Sequence, residues 1–395
     1  MITPSSFLPL AKGENVERRE TRGGAALYVH LPFCKRKCNY CDFVSYAGKE
    51  ELIDRYVEKL CEEIKTLTPL PAGERQTIFF GGGTPTLLEP KHYEKILTTL
   101  TPHPPLPKGE GAKTIEITIE ANPGTADRAK LKELRLLGIN RISIGIQSFH
   151  DRHLKTLGRI HDSETAERFY DDARAVGFEN INIDLIFGLP DQSLLEWKKD
   201  VQQAIVMQPE HLSAYRLQIE EGTHFYQQQT TNNLQLPTEE TEIAMYEYAV
   251  DCFWLTGYKH YEISNFAKPG RECRHNLNYW QMGNWLGVGA GAHSHVDGKL
   301  WANPDSIETY LKTPSSFPPL AKGENVERSE TRGGQHDSLF MGLRLLDGLP
   351  TEKFQGFESE VAELLADGLL KQENCNYKLT KKGLHLANLV FEKFI

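Results

Sequence analysis

The chain has 395 residues, 39% of them hydrophobic and 25% charged, which is room for one large packed domain and a small one. Its net charge of −9 excludes a general nucleic-acid binder, because phosphate contacts need a basic face. No uninterrupted apolar run approaches the roughly 18 residues of a membrane span, and the N-terminus lacks the apolar core of a secretory signal. Seven cysteines, an odd number with three clustered, fit a reducing compartment better than a disulfide framework. A cytoplasmic location is therefore expected, with room for peripheral attachment to a membrane partner.

In chain order, the first segment is a repeat. Thr3 to Gly24 reads TPSSFLPLAKGENVERRETRGG and returns at Thr313 to Gly334, changed only at Leu8/Pro318 and Arg19/Ser329. Structural repeats keep core positions and drift elsewhere, so near-identity in polar segments marks a recent in-frame insertion instead. Thr101 to Gly111 resembles a shortened third copy. Such peptides have too little apolar content to fold and are expected at exposed connections. Between them, β-rich apolar runs stand at Ala25–Leu31, Thr77–Phe80, Ile115–Glu120, Arg141–Ile146, Asn180–Ile186 and His211–Ile219. Helical patterns follow, at Glu51–Leu67, Asp127–Leu137, Glu164–Val176 and Leu194–Met207 among others. This βα alternation predicts an α/β fold with a parallel sheet.

Directly after the first run, Cys34, Cys38 and Cys41 follow the spacing C-x3-C-x2-C. Three thiolates from one loop can ligate three irons of a cubane and leave the fourth open to a ligand that is not protein. A four-sulfur zinc site needs a second cysteine pair, and Cys61, Cys252, Cys273 and Cys375 stand singly. The spacing thus favours a [4Fe–4S] cluster over zinc.

With Tyr40 between the second and third cysteines, this loop resembles the radical S-adenosylmethionine (SAM) superfamily, in which the open iron takes the amino and carboxylate groups of SAM. FGGGTP at 80–85, EANPG at 120–124, SIGIQSF at 143–149 and NIDLIFGLP at 182–190 occur in the order found in oxygen-independent coproporphyrinogen III oxidases and their relatives, the HemW-type haem chaperones. The resemblance implies a partial (β/α)6 barrel with its site at the C-terminal strand ends. It places Tyr28, Gly82, Gly83, Thr84, Glu120, Gln147, Arg159 and Asp184 around SAM. Glycines there would let backbone approach the ligand, Arg159 would pair with its carboxylate, and Asp184 would meet a ribose hydroxyl. Ordinary alternatives are a turn for the glycines, a surface ion pair for Arg159 and a core aromatic for Tyr28.

Further on, His275 to Trp280 reads HNLNYW, an HNxxYW pattern that resembles the chaperone branch and makes His275 a candidate haem ligand, with His293 a weaker one. A buried structural histidine is the alternative for both. From His336 the chain reads as a small winged-helix-like domain, with helical spacing over Phe340–Leu346 and Phe357–Leu365 and a two-stranded wing from Gly368–Leu370 and Tyr377–Thr380, too balanced in charge for DNA, with a lid or docking role. The expected organisation is an inserted, disordered peptide at 1–24, the barrel at 25–220 with an inserted loop at 101–113, an extension carrying HNxxYW at 221–312, a second insert at 313–334 and the C-terminal domain at 335–395. Two functions compete: a haem chaperone binding cluster, SAM and haem and serving a haem-accepting protein, and a radical SAM coproporphyrinogen III oxidase that decarboxylates its substrate. The oxidases carry a further cysteine two residues after the third, and here Phe43 stands in that place; their substrate-enclosing N-terminal arm is here only the repeat. Both departures favour the chaperone.

Overall fold

Residues 26–67, 77–100, 115–231, 233–314, 330–332 and 335–394 are described in the computed structural model. Among them β1 (Ala26–Leu31) enters a loop holding the paired short strands β2 (Phe33–Cys34) and β3 (Tyr46–Ala47), followed by α1 (Ile53–Thr66). Four units come next: β4 (Thr77–Gly82) with α2 (Pro90–Leu100), β5 (Glu116–Ala121) with α3 (Arg128–Leu136), β6 (Arg141–Gln147) with α4 (Asp151–Leu157) and α5 (Ser163–Ala175), and β7 (Ile181–Phe187) with α6 (Leu194–Val206). The sixth strand, β8 (His211–Arg216), leads to α7 (His224–Thr230) and α8 (Glu239–Leu255). Helices begin where the sequence supplies caps. Asp127, Asp162, Ser193 and Thr238 accept backbone N–H bonds at the starts of α3, α5, α6 and α8, and Glu196 completes a capping box with Ser193.

The chain then adds β9 (Lys259–Glu262), β10 (Asn265–Ala267), α9 (Arg274–Trp280), β11 (Trp285–Val288), β12 (His293–Val296), β13 (Lys299–Ala302), α10 (Ile307–Lys312) and β14 (Glu330–Arg332). One sheet runs β14-β13-β12-β11-β1-β4-β5-β6-β7-β8-β10-β9, parallel from β11 to β8. The six expected strands are all present, and β11 joins the free edge of β1 as a seventh parallel strand. The glycine- and alanine-rich stretch that follows it packs closely on the barrel. A Cβ at Gly289, where φ is +100°, would sit 2.6 Å from both the His30 carbonyl and the Tyr56 hydroxyl. The repeat copies at 1–24 and 101–111 lie outside the described residues, as does most of 313–334. Glu330–Arg332 of that copy do form β14, because edge pairing to β13 uses backbone groups and needs no apolar content.

Alternation along the parallel strands divides the wall between two environments. Leu27, Val29, Ile117, Ile119, Ile142, Ile144, Ile181 and Ile183 pack outward under the helices in the main core. Glu116, Glu120, Arg141, Ser143, Asn182, Asp184, His211 and Ser213 occupy the intervening positions and line the barrel interior with Tyr28 and Phe79. Parallel strands buried on both faces usually read as continuous apolar runs. A polar interior instead must satisfy its own hydrogen bonds or hold a ligand.

The C-terminal part has a separate core of Leu339, Leu343, Phe354, Val361, Leu364, Val390, Phe391 and Phe394. It comprises α11 (Gln335–Gly342), β15 (Leu349–Pro350), α12 (Glu358–Ala366), β16 (Leu370–Glu373), β17 (Asn376–Leu379), α13 (Lys381–His385) and α14 (Ala387–Glu392). The wing has three strands where two were expected, and the helix expected over Phe340–Leu346 stops at Gly342. Residues 343–346 turn away to bond the β9–β10 hairpin: Ile263 N donates to Arg344 O (3.2 Å) and Leu346 N to Tyr261 O (3.2 Å). There Arg344, 7% exposed, pairs with the fully buried Glu262 at 3.3 Å and lies 4.5 Å over the Trp280 ring. Glu262→Ala, which leaves Arg344 buried without its anion, should cost about 3–5 kcal/mol in chemical unfolding, and Glu262→Gln less. A variant as stable as the wild type would show that the ion pair is not what docks the C-terminal part.

Candidate functional site

At the C-terminal strand ends lies a cavity of about 170 Å³ that gathers Cys34, Cys38 and Cys41 with Gly82, Gly83, Thr84, Glu120, Gln147, Arg159 and Asp184. Every residue expected there arrives except Tyr28. The cysteine loop is tied down at both ends. β2 carries Cys34, Asn39 N donates to Leu157 O (3.0 Å), Asn39 O accepts from Phe225 N (3.0 Å), and Tyr40 packs with Leu157, Ile186, Leu217 and Phe225. Thr84 Oγ1 stands 3.6 Å from Cys34 Sγ, and Arg159 Nη1 3.5 Å from Cys38 Sγ. Burial pushes the Cys41 thiol up to about 11 and raises that of Cys34. All three are free thiols, and among the described residues no cysteine, histidine or carboxylate set closes into a single-ion cage. A cubane, whose irons each take one thiolate, fits such separated donors; a zinc ion does not.

The glycines answer to the protein before any ligand. Gly82 has φ +111°, and a Cβ there would fall 2.5 Å from the His30 ring; at Gly83 it would fall 2.6 Å from the Phe33 carbonyl oxygen. Close approach to β1 and β2, next to Cys34, is thus what demands glycine. Arg159 is no surface ion pair: Nη2 donates to Gly145 O (2.7 Å) and Asn122 Oδ1, and Nε has no partner. Asp184 Oδ1 accepts from Asn182 Nδ2 and Oδ2 from Ser143 Oγ, each at 2.9 Å, so its first donors are internal. Gln147 is held at φ +71° beside a register shift in β6, with its buried Oε1 unpaired. Strained backbone and unanswered polar atoms around one cavity fit a polar ligand such as SAM.

Glu120 Oε2 accepts from Gly82 N at 3.1 Å, and burial, reinforced by the charge of Asp184, pushes its carboxyl up to about 8. The folded chain therefore holds this proton more tightly than the unfolded chain. Ligand-free stability should fall as pH rises from 4.5 to about 8 and stay level above. In thermal melts across that window Glu120→Gln should gain steadily on the wild type; parallel pH profiles would refute the shift. Gly83→Ala should push β2 and Cys34 aside and lower iron content on reconstitution, and full iron content would show that β2 yields freely.

Below the mouth a smaller cavity of about 70 Å³ is closed by α9. The Glu116 carboxylate accepts His275 N (3.1 Å) and Arg274 N (3.2 Å) at the start of that helix. His275 is 1% exposed, with Nδ1 bonded to Thr77 Oγ1 and Nε2 to Tyr279 OH, each at 2.8 Å, and its ring stacks on Phe79. Burial pushes it down to about 3. No ring nitrogen of His275 is left for iron, so the expected haem ligand is instead a floor residue. Tyr28 lies here too, its hydroxyl 3.0 Å from His30 Nδ1, a core aromatic away from the mouth. His293 sits on β12, half-buried and pushed down to about 4 by burial. Sequence reasoning passed over Asn122, Tyr215, Glu116, Arg141 and His211. The signal was present as polar residues at every second strand position.

Residues 28–204 match the radical SAM superfamily and residues 336–386 the HemN C-terminal domain. The chain is 35% identical over 377 residues to the Heme chaperone HemW of Lactococcus lactis, covering 93% of this chain and 96% of that one. It is 36% identical over 383 residues to the Heme chaperone HemW of Escherichia coli, covering 94% and 98%. Among solved structures, coproporphyrinogen III oxidase HemN of Escherichia coli superposes with a TM-score of 0.74 at 23% identity, over 94% of this chain and 90% of that one, a likeness of fold. By identity over nearly its whole length, the chain belongs to the HemW family of the radical SAM superfamily.

Proposed function

We propose that the chain is a haem chaperone that holds a [4Fe–4S] cluster on Cys34, Cys38 and Cys41, binds SAM at the barrel mouth and passes haem to an acceptor protein. The observation that carries this reading is the near-full-length identity to proteins named as haem chaperones. Phe43 supports it, because it lines the mouth in the place where the oxidases have a further cysteine. The likeness to HemN at 23% identity supports the architecture alone. When bound, cluster and SAM supply one-electron chemistry. The chain's own part is to orient them: Arg159 bridges the cysteine loop to β6, and Gln147, Glu120 and Asp184 offer polar atoms to SAM. No helix among the described residues is long and apolar enough to cross a membrane, and all seven cysteines are free. Both observations support a reducing, cytoplasmic setting.

Haem titration of the reconstituted chain, run beside an assay with coproporphyrinogen III, SAM and reductant, tests the reading. Haem uptake without decarboxylation is the expected result; turnover above a cluster-free control would hand the assignment to the oxidase. His275→Ala should cost about 2–4 kcal/mol through lost floor bonds and packing while leaving the Soret band in place. A Soret shift in that variant would restore His275 as the axial ligand.

A further inference from the structure

Away from the mouth and the floor, a cleft of about 440 Å³ opens between β8, α8 and the C-terminal helices α13 and α14. Ile263, Phe340, Leu384, Leu386, Leu389 and Phe391 give it apolar surface. Leu389 is 52% exposed, an apolar side chain on the rim of this hollow with none of the described residues covering it. The mouth and floor cavities are smaller, and the mouth is taken up by the cluster and SAM assignment. A large, flat, mostly apolar ligand finds its room in the cleft.

One lining residue carries metal chemistry. His385, at the end of α13, has its side chain 13% exposed and its Nε2 3.1 Å from Glu247 Oε1; Glu247 is held in turn by Lys381 at 2.8 Å. Nδ1 has no hydrogen-bond partner among the described residues. An imidazole whose one nitrogen donates to a carboxylate has its tautomer fixed and its other lone pair free, which is the arrangement behind metal-bound histidines. Tyr246 stands edge-on to the ring at 5.7 Å and limits its rotation. This differs from His275, where both nitrogens are spent within the floor.

We infer that this cleft is the haem seat and that His385 Nδ1 is the axial ligand to the haem iron; the inference rests on the haem-chaperone reading above. The macrocycle lies against Phe340, Leu386, Leu389 and Phe391. Glu220, Glu239 and Glu242 also line the cleft, with Arg216 engaged by Glu242 at 2.6 Å. Their charge turns the haem propionates away from β8 and out to water. Held at a cleft open to solvent, the haem is within reach of an acceptor without unfolding the barrel.

The test is an optical haem titration of the full-length, cluster-loaded chain and of His385→Ala, Glu247→Gln and Leu389→Glu, with melting curves and iron content measured on each. His385→Ala should shift the Soret band, weaken binding at least about tenfold through loss of one axial bond, and recover the wild-type spectrum on addition of free imidazole. Glu247→Gln should shift the band less, and Leu389→Glu should weaken binding without moving it. All three are expected to keep wild-type cluster iron, since none lies near the cysteine loop. A wild-type chain that binds haem while His385→Ala and Leu389→Glu match it in affinity and spectrum would overturn the seat and leave the chaperone reading standing. A wild-type chain that takes up no haem would overturn that reading and the seat with it.

Discussion

The Glu116 carboxylate, accepting the first two backbone N–H groups of α9, is the contact on which the interior of this barrel depends. A curved parallel sheet whose inward positions are polar cannot stay open at its N-terminal end, where Arg141, Asn182 and His211 would face water. Anchoring α9 by an anion at its positive end closes that opening. Once it is closed, the interior groups bond one another. His211 reaches Asn182 Oδ1 at 2.6 Å and Tyr261 OH at 2.8 Å, Asn182 and Ser143 donate to Asp184, and His275 is pinned between Thr77 and Tyr279. A buried network of this kind is stabilising only when each member is paired. Unpaired atoms remain at both levels among the described residues, Gln147 Oε1 and Arg159 Nε at the mouth and Arg141 Nε and Trp280 Nε1 at the floor.

The same economy explains the conflict at the glycines. A run of three after a strand reads as freedom to approach a ligand, yet two of these glycines are required by the His30 ring and the Phe33 backbone. The cysteine loop is therefore seated on β4 by contacts in which no larger residue fits, and its thiols take their positions from the barrel wall rather than from the loop's own stiffness. Tyr40, locked among apolar residues on the far side, completes the clamp.

Much of this was legible in the sequence because each signal was local. Six strands, the helices between them and the cysteine spacing depend on patterns within a dozen residues, and all appear where the pattern puts them. What escaped depended on partners far along the chain. β11 is a four-residue segment with no strand pattern of its own until β1 lies beside it with its edge free, about 260 residues earlier by the register Ala26 opposite Trp285. His275 reads as a ligand because histidine next to aromatics suits haem; only Thr77, from β4, shows that its second nitrogen is taken. The resemblance put Tyr28 beside SAM, but it stands three residues before the C-terminal end of β1, so its inward-facing ring lies below the mouth and over the floor. The helix expected through Leu346 stops early because Arg344 has a buried anion waiting in β9.

Tyr215, near the end of β8, borders all three cavities: the mouth, the floor and the cleft beside the C-terminal helices. A partition one residue thick cannot be reshaped on one side alone. Any ligand that displaces this ring therefore alters the free energy of filling the neighbouring spaces, and thermodynamic reciprocity makes the effect equal in both directions. A single strand end thus gives the barrel and its C-terminal appendage a common boundary through which occupancy in one can be felt in the other.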